Sequence, residues 1–158
     1  MEEMAPRIAR PEVNEMPTVK DILARKGSHV CTTRPETNVL EATRLMNANR
    51  IGALLVIDDD RIAGIFTERD VLTRVVAAGR DPRVTAVAEV MTTPVAYCTP
   101  EAPFEECRGI FTEKRIRHLP VMNGKTLAGI VTSGDLLAYE VSDRERIICY
   151  LEEYIRTP

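Results

Sequence analysis

The chain has 158 residues, enough for one sizeable core or for two small ones joined across an interface. Hydrophobic residues at 44% and charged residues at 28% are ordinary globular values, and a net charge of −3 without any basic block leaves no electrostatic footprint for nucleic acid. Aromatics at 4% with no Trp argue against a stacking platform for single strands, and no run approaches the roughly 20 apolar residues of a membrane span.

Residues 1–17 place Pro6, Pro11 and Pro17 among charged side chains, the composition of a flexible tail without a signal-peptide core. A cytoplasmic protein that binds neither nucleic acid nor membrane is therefore expected. Cys31, Cys98, Cys107 and Cys149 are scattered, with no C-x-x-C pair and no zinc-ligand spacing. They read as small buried apolar residues in a reducing compartment, and no metal is expected.

Val19-Lys20-Asp21-Ile22-Leu23 reads as a short helix capped by Thr18, and Val87-Ala88-Glu89-Val90-Met91 answers it further along. The first copy then runs longer than the second through Ala24-Arg25-Lys26-Gly27-Ser28-His29. From there the two stay in step. Strand Val30-Cys31-Thr32-Thr33 is matched by Val95-Ala96-Tyr97-Cys98. The next helix carries Val39, Ala42, Leu45 and Met46 on one stripe, matched by Phe104, Cys107, Ile110 and Phe111. Two strands come next, Ala53 to Ile57 and Ile62 to Phe66, joined by Asp58-Asp59-Asp60; their echo is Leu119 to Met122, the turn Asn123-Gly124, and Leu127 to Val131. Three consecutive acidic residues invite a metal, but a solvated turn accounts for them. A helix from Glu68 to about Ala78 closes the first copy before Gly79-Arg80-Asp81-Pro82, and another begins near Gly134.

The organising stretch is Gly64-Ile65-Phe66-Thr67-Glu68-Arg69-Asp70, which recurs as Gly129-Ile130-Val131-Thr132-Ser133-Gly134-Asp135. Each Thr and Asp falls where strand turns into helix. They are ordinary N-caps on one reading. On the other, the Asp accepts from both hydroxyls of a ribose while the Thr hydroxyl and free helix amides face a phosphate. The recurrence of both residues favours the second. Before the last hairpin, Arg117 and His118 are either phosphate ligands or a solvated cationic edge, and at the matching place Ile51-Gly52-Ala53 offers apolar main chain to an adenine. Enzymatic constellations are sparse: His29 and His118 lie in no nucleophile or metal motif, and no phosphate-binding glycine loop occurs; an acid/base pair of Asp70 and Asp135 is the minor alternative, since duplicated identical residues more often make duplicated binding sites, and the chain is not read as an enzyme. Beyond Tyr139, Ser142 with Glu145 makes a possible capping box, and Ile147, Ile148, Leu151, Tyr154 and Ile155 extend an apolar stripe that either folds back or meets a second subunit. Meeting a second subunit is the preferred reading.

These motifs, together with Ile116-Arg117-His118-Leu119-Pro120-Val121, resemble the signatures of cystathionine-β-synthase-type (CBS) domains, and the resemblance covers Val19 to Tyr139. It implies an α/β protein of the α+β type: two tandem CBS repeats, each a small mainly antiparallel sheet with flanking helices, related by a pseudo-two-fold axis. The organisation expected is a tail at 1–17, repeats at 18–80 and 81–141, and a helical extension at 142–158. The resemblance further implies two clefts for adenosyl ligands: AMP in the first place, or ADP, ATP, NAD(H) or S-adenosylmethionine. One cleft would use Thr132 and Asp135 with Thr32, Ile51, Gly52 and Ala53. The other would use Thr67, Arg69 and Asp70 with Tyr97, Ile116, Arg117 and His118. As a free-standing pair, the chain is expected to form a homodimer and to act as an energy or redox sensor in signal transduction through an unidentified effector protein. The alternative is a dimerising interaction module whose clefts are vestigial.

Overall fold

The computed structural model describes residues 16–156, so the tail expected over 1–17 lies outside it apart from Met16 and Pro17. In order come α1 (Val19–Lys26), β1 (Thr32–Thr33), α2 (Val39–Asn49), β2 (Ala53–Asp58), β3 (Arg61–Thr67), α3 (Glu68–Asp70), which runs on as a π-helix over Val71–Val76, α4 (Val87–Val90), α5 (Phe104–Lys114), β4 (His118–Asn123), β5 (Thr126–Thr132) and α6 (Ser133–Arg156). β1 runs parallel to β2, β2 antiparallel to β3, and β4 pairs antiparallel with β5 in a second sheet. This is the α+β architecture of two repeats.

Both hairpins close through two-residue turns. Asp59 and Asp60 both take positive φ, whereas in the second hairpin Gly124 does so and Asn123 remains the last strand residue opposite Thr126. The two stripe helices end alike, at Arg50 and Arg115 in the left-handed conformation (φ 53° and 52°), with Ile51 and Ile116 amides returning to the Met46 and Phe111 carbonyls. That reversal aims the following strands toward the middle of the molecule.

The first core gathers Val39, Ala42, Met46, Leu54, Val56, Phe66 and Val75, and the second Phe104, Cys107, Phe111, Leu119, Val121, Val131 and Leu136. Leu45, expected on the stripe, is 38% exposed and lies at its solvent edge. A third cluster of Ala53, Leu55 and Ile65, flanked by Val95 and Leu127, joins the sheets.

The leading helices are exchanged. Val19 and Ile22 of α1 sit in the second core, and Val87 and Val90 of α4 in the first. Main-chain bonds lock the exchange: Val19 and Lys20 amides donate to the carbonyls of Ala102 and Pro100, Phe104 donates to Pro17, and Val87 and Ala88 donate to Thr37 and Pro35. Pro17, expected within the tail, is thus part of the fold.

Five expectations are corrected. The strand at Val30–Thr33 shrinks to Thr32–Thr33, and Val95–Cys98 forms only a bridge from Cys98 to Val121. That segment has to cross from the β3 edge, where Thr92 pairs with Ile65, to the β4 edge, so it cannot pair at length with either. α1 continues through Ala24-Arg25-Lys26, where a connection is expected from the sequence. The regular helix expected from Glu68 to Ala78 is α only over Glu68–Asp70 and turns into a π-helix over Val71–Val76, in which the Thr73 hydroxyl donates to the Arg69 carbonyl (2.7 Å). Ser142 caps nothing, because α6 runs unbroken through it.

The exchange explains the motif glycines. A Cβ on Gly64 would meet Met91 Sδ at 2.5 Å and the Thr92 carbonyl at 3.0 Å, and one on Gly129 would meet Leu23 Cδ2 at 2.7 Å. Leu23 can shift an end methyl; the Thr92 main chain cannot. Gly64→Ala is therefore expected to destabilise the protein by about 1–3 kcal/mol in urea unfolding, and Gly129→Ala by less.

Candidate functional site

Each strand-to-helix corner is built as a reciprocal cap. The Thr67 amide donates to Asp70 Oδ2 (2.9 Å) and the Asp70 amide to Thr67 Oγ1 (3.4 Å); the Thr132 amide donates to Asp135 Oδ2 (2.8 Å) and the Asp135 amide to Thr132 Oγ1 (3.1 Å). The first helical amides are also taken, since Glu68 donates to the Gly52 carbonyl (3.0 Å) and Ser133 to that of Arg117 (3.1 Å). Any phosphate contact at these corners therefore falls chiefly to side chains.

Beyond the caps the two corners differ. Asp70 is buried, and its Oδ1 accepts from Thr92 Oγ1 (3.0 Å) with Arg74 Nε at 3.8 Å. Asp135 is more open, and its Oδ2 also accepts from Lys26 Nζ (2.6 Å). Thr92 lies just beyond the exchanged helix α4, and Lys26 is the last residue of the exchanged helix α1.

A cavity of about 370 Å³ lies between the halves, lined by Thr67, Arg69, Asp70, Ile116, Arg117 and His118 together with Gly52, Glu68, Thr92 and Lys114. It brings together all but one of the residues expected in that cleft. Tyr97 is 60% exposed and does not line it. Arg69 spans the two halves, donating from Nη1 to the Arg115 carbonyl (2.7 Å), and Arg74 donates to the carbonyls of Val90 (3.1 Å) and Met91 (2.7 Å). Thr92, Arg74 and Lys114 escape sequence reading. No motif marks them; only their placement by α4, the π-helix and α5 does.

The residues of the other expected cleft are less gathered. A second, more open groove of about 790 Å³ includes Ile51, Gly52 and Thr132, with Thr43, Asn47, Arg50, Ser133 and Gly134. Asp135, Thr32 and Ala53 do not line it; Ala53 is buried in β2 opposite Thr67. Gly52 is a true close approach: a Cβ there would stand 3.2 Å from the Glu68 carboxylate and 3.5 Å from His118 Cε1. Glu68 forms an ion pair with Arg117 (3.8 Å) at the junction of cavity and groove.

Burial holds His118 below its ordinary value of 6.5; Arg117 and, more weakly, Lys26 push the same way, while Glu68 and Asp135 oppose. The ring is neutral near pH 7. Cys98 and Cys107 are buried core members, but Cys31 is half-buried beside His29 Nε2 (3.6 Å) and Cys149 is exposed, so the expectation of four buried thiols holds for two. Among the described residues, no group of His, Cys, Asp and Glu is assembled for a metal ion, and no helix is long and apolar enough to cross a membrane.

A duplicated hairpin-and-helix unit, an exchanged leading helix, and a cavity between the halves beside a Thr-x-x-Asp corner define a tandem pair of like domains. The CBS domain model matches residues 19–77 and 87–142, and the chain belongs to the CBS-domain family, whose tandem pairs are regulatory modules and not enzymes. The chain is 34% identical over 128 residues to the CBS domain-containing protein YhcV of Bacillus subtilis (strain 168), covering 81% of this chain and 89% of that one. A solved protein with CBS domains from Burkholderia ambifaria superposes with a TM-score of 0.79 at 42% identity, over 80% of this chain and 96% of the other. The CBS pair of protein MJ0100, solved with 5′-methylthioadenosine and S-adenosyl-L-methionine, shares the fold at a TM-score of 0.70 and 23% identity, over 82% and 99% of the two chains.

With the His118 pKa lowered in the fold, the unfolded chain binds the proton more readily and stability rises with pH across that window. Acidification from pH 7 to 5 is expected to cost the wild type more stability than it costs His118→Gln in urea unfolding. Equal losses would mean that the half-buried ring contributes nothing.

Proposed function

We propose that the chain is an adenosyl-nucleotide sensor that regulates a partner protein, with AMP as its first-choice ligand. The observation that carries this reading is the cavity between the repeats. Its volume falls within the range of about 300–1,000 Å³ usual for small-molecule sites. Its wall combines a buried carboxylate with Arg69, Arg74, Lys114, Arg115 and Arg117, so cations outnumber Glu68 and Asp70 and an anionic ligand is favoured. Asp70 Oδ1 keeps a lone pair beside the Thr92 bond for a sugar hydroxyl, and Arg117 with His118 stands where a phosphate would end. The adenosyl compounds held by the MJ0100 pair support the ligand class. ADP, ATP, NAD(H) and S-adenosylmethionine are the competitors for the same cavity, and the second expected site, at Thr132 and Asp135 with Thr32, Ile51, Gly52 and Ala53, belongs to the same reading.

A ligand touching both repeats changes their arrangement only by its differential affinity for the two states, and that change is what an effector protein would read. The outer part of α6 exposes Ile147, Ile148, Leu151, Tyr154 and Ile155. A homodimer built on that stripe, in the cytoplasm, completes the proposal.

Nucleotide-free protein is expected to release heat on calorimetric titration with AMP, and Arg117→Ala to weaken AMP about 10-fold while changing adenosine much less. Silence with every adenosyl ligand would leave the interaction module with vestigial clefts as the better reading. Light scattering is expected to give twice the chain mass, reduced toward monomer by Ile148→Glu or Leu151→Glu; a wild-type monomer would remove the dimer from the proposal.

A further inference from the structure

The enclosed cavity and the open groove meet between the halves, where Gly52, Glu68, Arg117 and His118 line both. Gly52 and Arg117 are matching positions of the two repeats, and so are Glu68 and Ser133. Main chain repeats the match, since the Glu68 amide donates to the Gly52 carbonyl (3.0 Å) and the Ser133 amide to that of Arg117 (3.1 Å). At this junction stands a movable pair of side chains. The Glu68 carboxylate lies over Gly52, where a Cβ would meet it at 3.2 Å, and faces Arg117 of the other repeat at 3.8 Å. Both side chains are well exposed, at 64% and 65%, so solvent screens the attraction that holds them.

The chambers offer different chemistry on either side of that pair. On the cavity side stands Asp70 with Arg69, Arg74, Lys114 and Arg115. The groove has apolar Met46, Ile51 and Val71 beside Asn47, Arg50 and Ser133, whose side chains make no hydrogen bond or ion pair among the described residues. Apolar flanks suit the face of a flat ring, and the Asn47 amide, which both donates and accepts, suits the edge of a base or a carboxamide. Arg117 belongs to both chambers and suits an anion between them.

Resting on the nucleotide reading of the cavity, we propose that cavity and groove together bind one dinucleotide: one nucleoside beside Asp70, the second in the groove against Asn47, and the pyrophosphate that joins them at Arg117 in place of Glu68. A mononucleotide reaches Arg117 and ends there; the second half of a dinucleotide continues past it. Once the first nucleoside is held, the second meets the groove as an intramolecular partner, so its contacts add affinity without a second loss of translational freedom. The exposed pair of Glu68 and Arg117 gives way at small cost, and the pyrophosphate returns a charge-assisted contact to the arginine.

The full chain, stripped of nucleotide, is titrated calorimetrically with AMP, NAD+ and diadenosine diphosphate, alongside Asn47→Ala. Melting curves first establish that the variant folds, as the exposed site of Asn47 allows. The expected result is one equivalent of at least one dinucleotide, bound at least about 10-fold more tightly than AMP. Asn47→Ala should weaken that dinucleotide about 5-fold and leave AMP unchanged. Either dinucleotide upholds the proposal, NAD+ assigning nicotinamide to the groove and the diadenosine compound a second adenine. A smaller gain for both, two equivalents of a dinucleotide per chain, or an Asn47→Ala variant that keeps the gain or weakens AMP equally overturns the proposal while leaving the cavity reading intact. Silence with all three ligands overturns both.

Discussion

The contact on which the rest depends is the seat that each motif glycine gives to a side chain of an exchanged segment, Met91 on Gly64 and Leu23 on Gly129. Because α1 is built into the second core and α4 into the first, neither repeat can complete its apolar interior without the other. The arrangement converts a sequence duplication into one cooperative unit. It also carries the ends of both helices past the two Thr-x-x-Asp corners, which is why Thr92 and Lys26 end on the aspartates.

At those corners the structure shows the capping role, and the proposed binding role falls on the same side chains. In the sequence, capping and diol recognition compete as explanations of Asp70 and Asp135; in the fold the cap takes Oδ2 of each, Thr92 takes Oδ1 of Asp70, and Lys26 shares Oδ2 of Asp135. A cap contributes about 0.5–2 kcal/mol, enough to keep the residue in place whether or not a ligand arrives. The recurrence of the pair is therefore weaker testimony for a ligand than it looks on paper. In the proposed reading the first corner is favoured by its surroundings, a cavity with a surplus of cations, and not by the motif itself.

Local periodicity made most of the fold legible. The helices carrying Val39 and Phe104, both hairpins, and the corners at Thr67 and Thr132 stand where apolar spacing and turn residues put them. The exchange was not legible, because a duplicated pattern shows that two units match without showing which core each helix enters. Nor was the loss of the strand at Val95–Cys98, which reads as well as its partner but has two sheet edges to connect. At the site, the residues carried by motifs, Thr67, Arg69, Asp70, Ile116, Arg117 and His118, do come together. Tyr97, placed there by the resemblance to the family, does not: the strand expected to carry it fails to form, and its side chain stands exposed.

The pseudo-symmetry is broken in chemistry more than in backbone. Both hairpins have the same register shift, between Val56 and Ile57 and between Val121 and Met122, and both stripe helices end in a left-handed arginine. Against that shared frame, Arg69 answers Gly134, Arg74 answers Tyr139, and Arg117 answers Gly52. Each difference strengthens the cationic wall of the first cavity or withdraws charge from the second corner. Glu68 is the exception: it lies over Gly52 and holds Arg117 at 3.8 Å. In the proposed nucleotide reading, a phosphate at Arg117 competes with that carboxylate, so part of its attraction is offset. Displacing Glu68 would free it from an arginine of the other repeat and so loosen one tie between the halves as the ligand makes new ones. The proposed sensor role rests on such a trade, because only contacts that differ between the empty and filled arrangements can shift the balance between them.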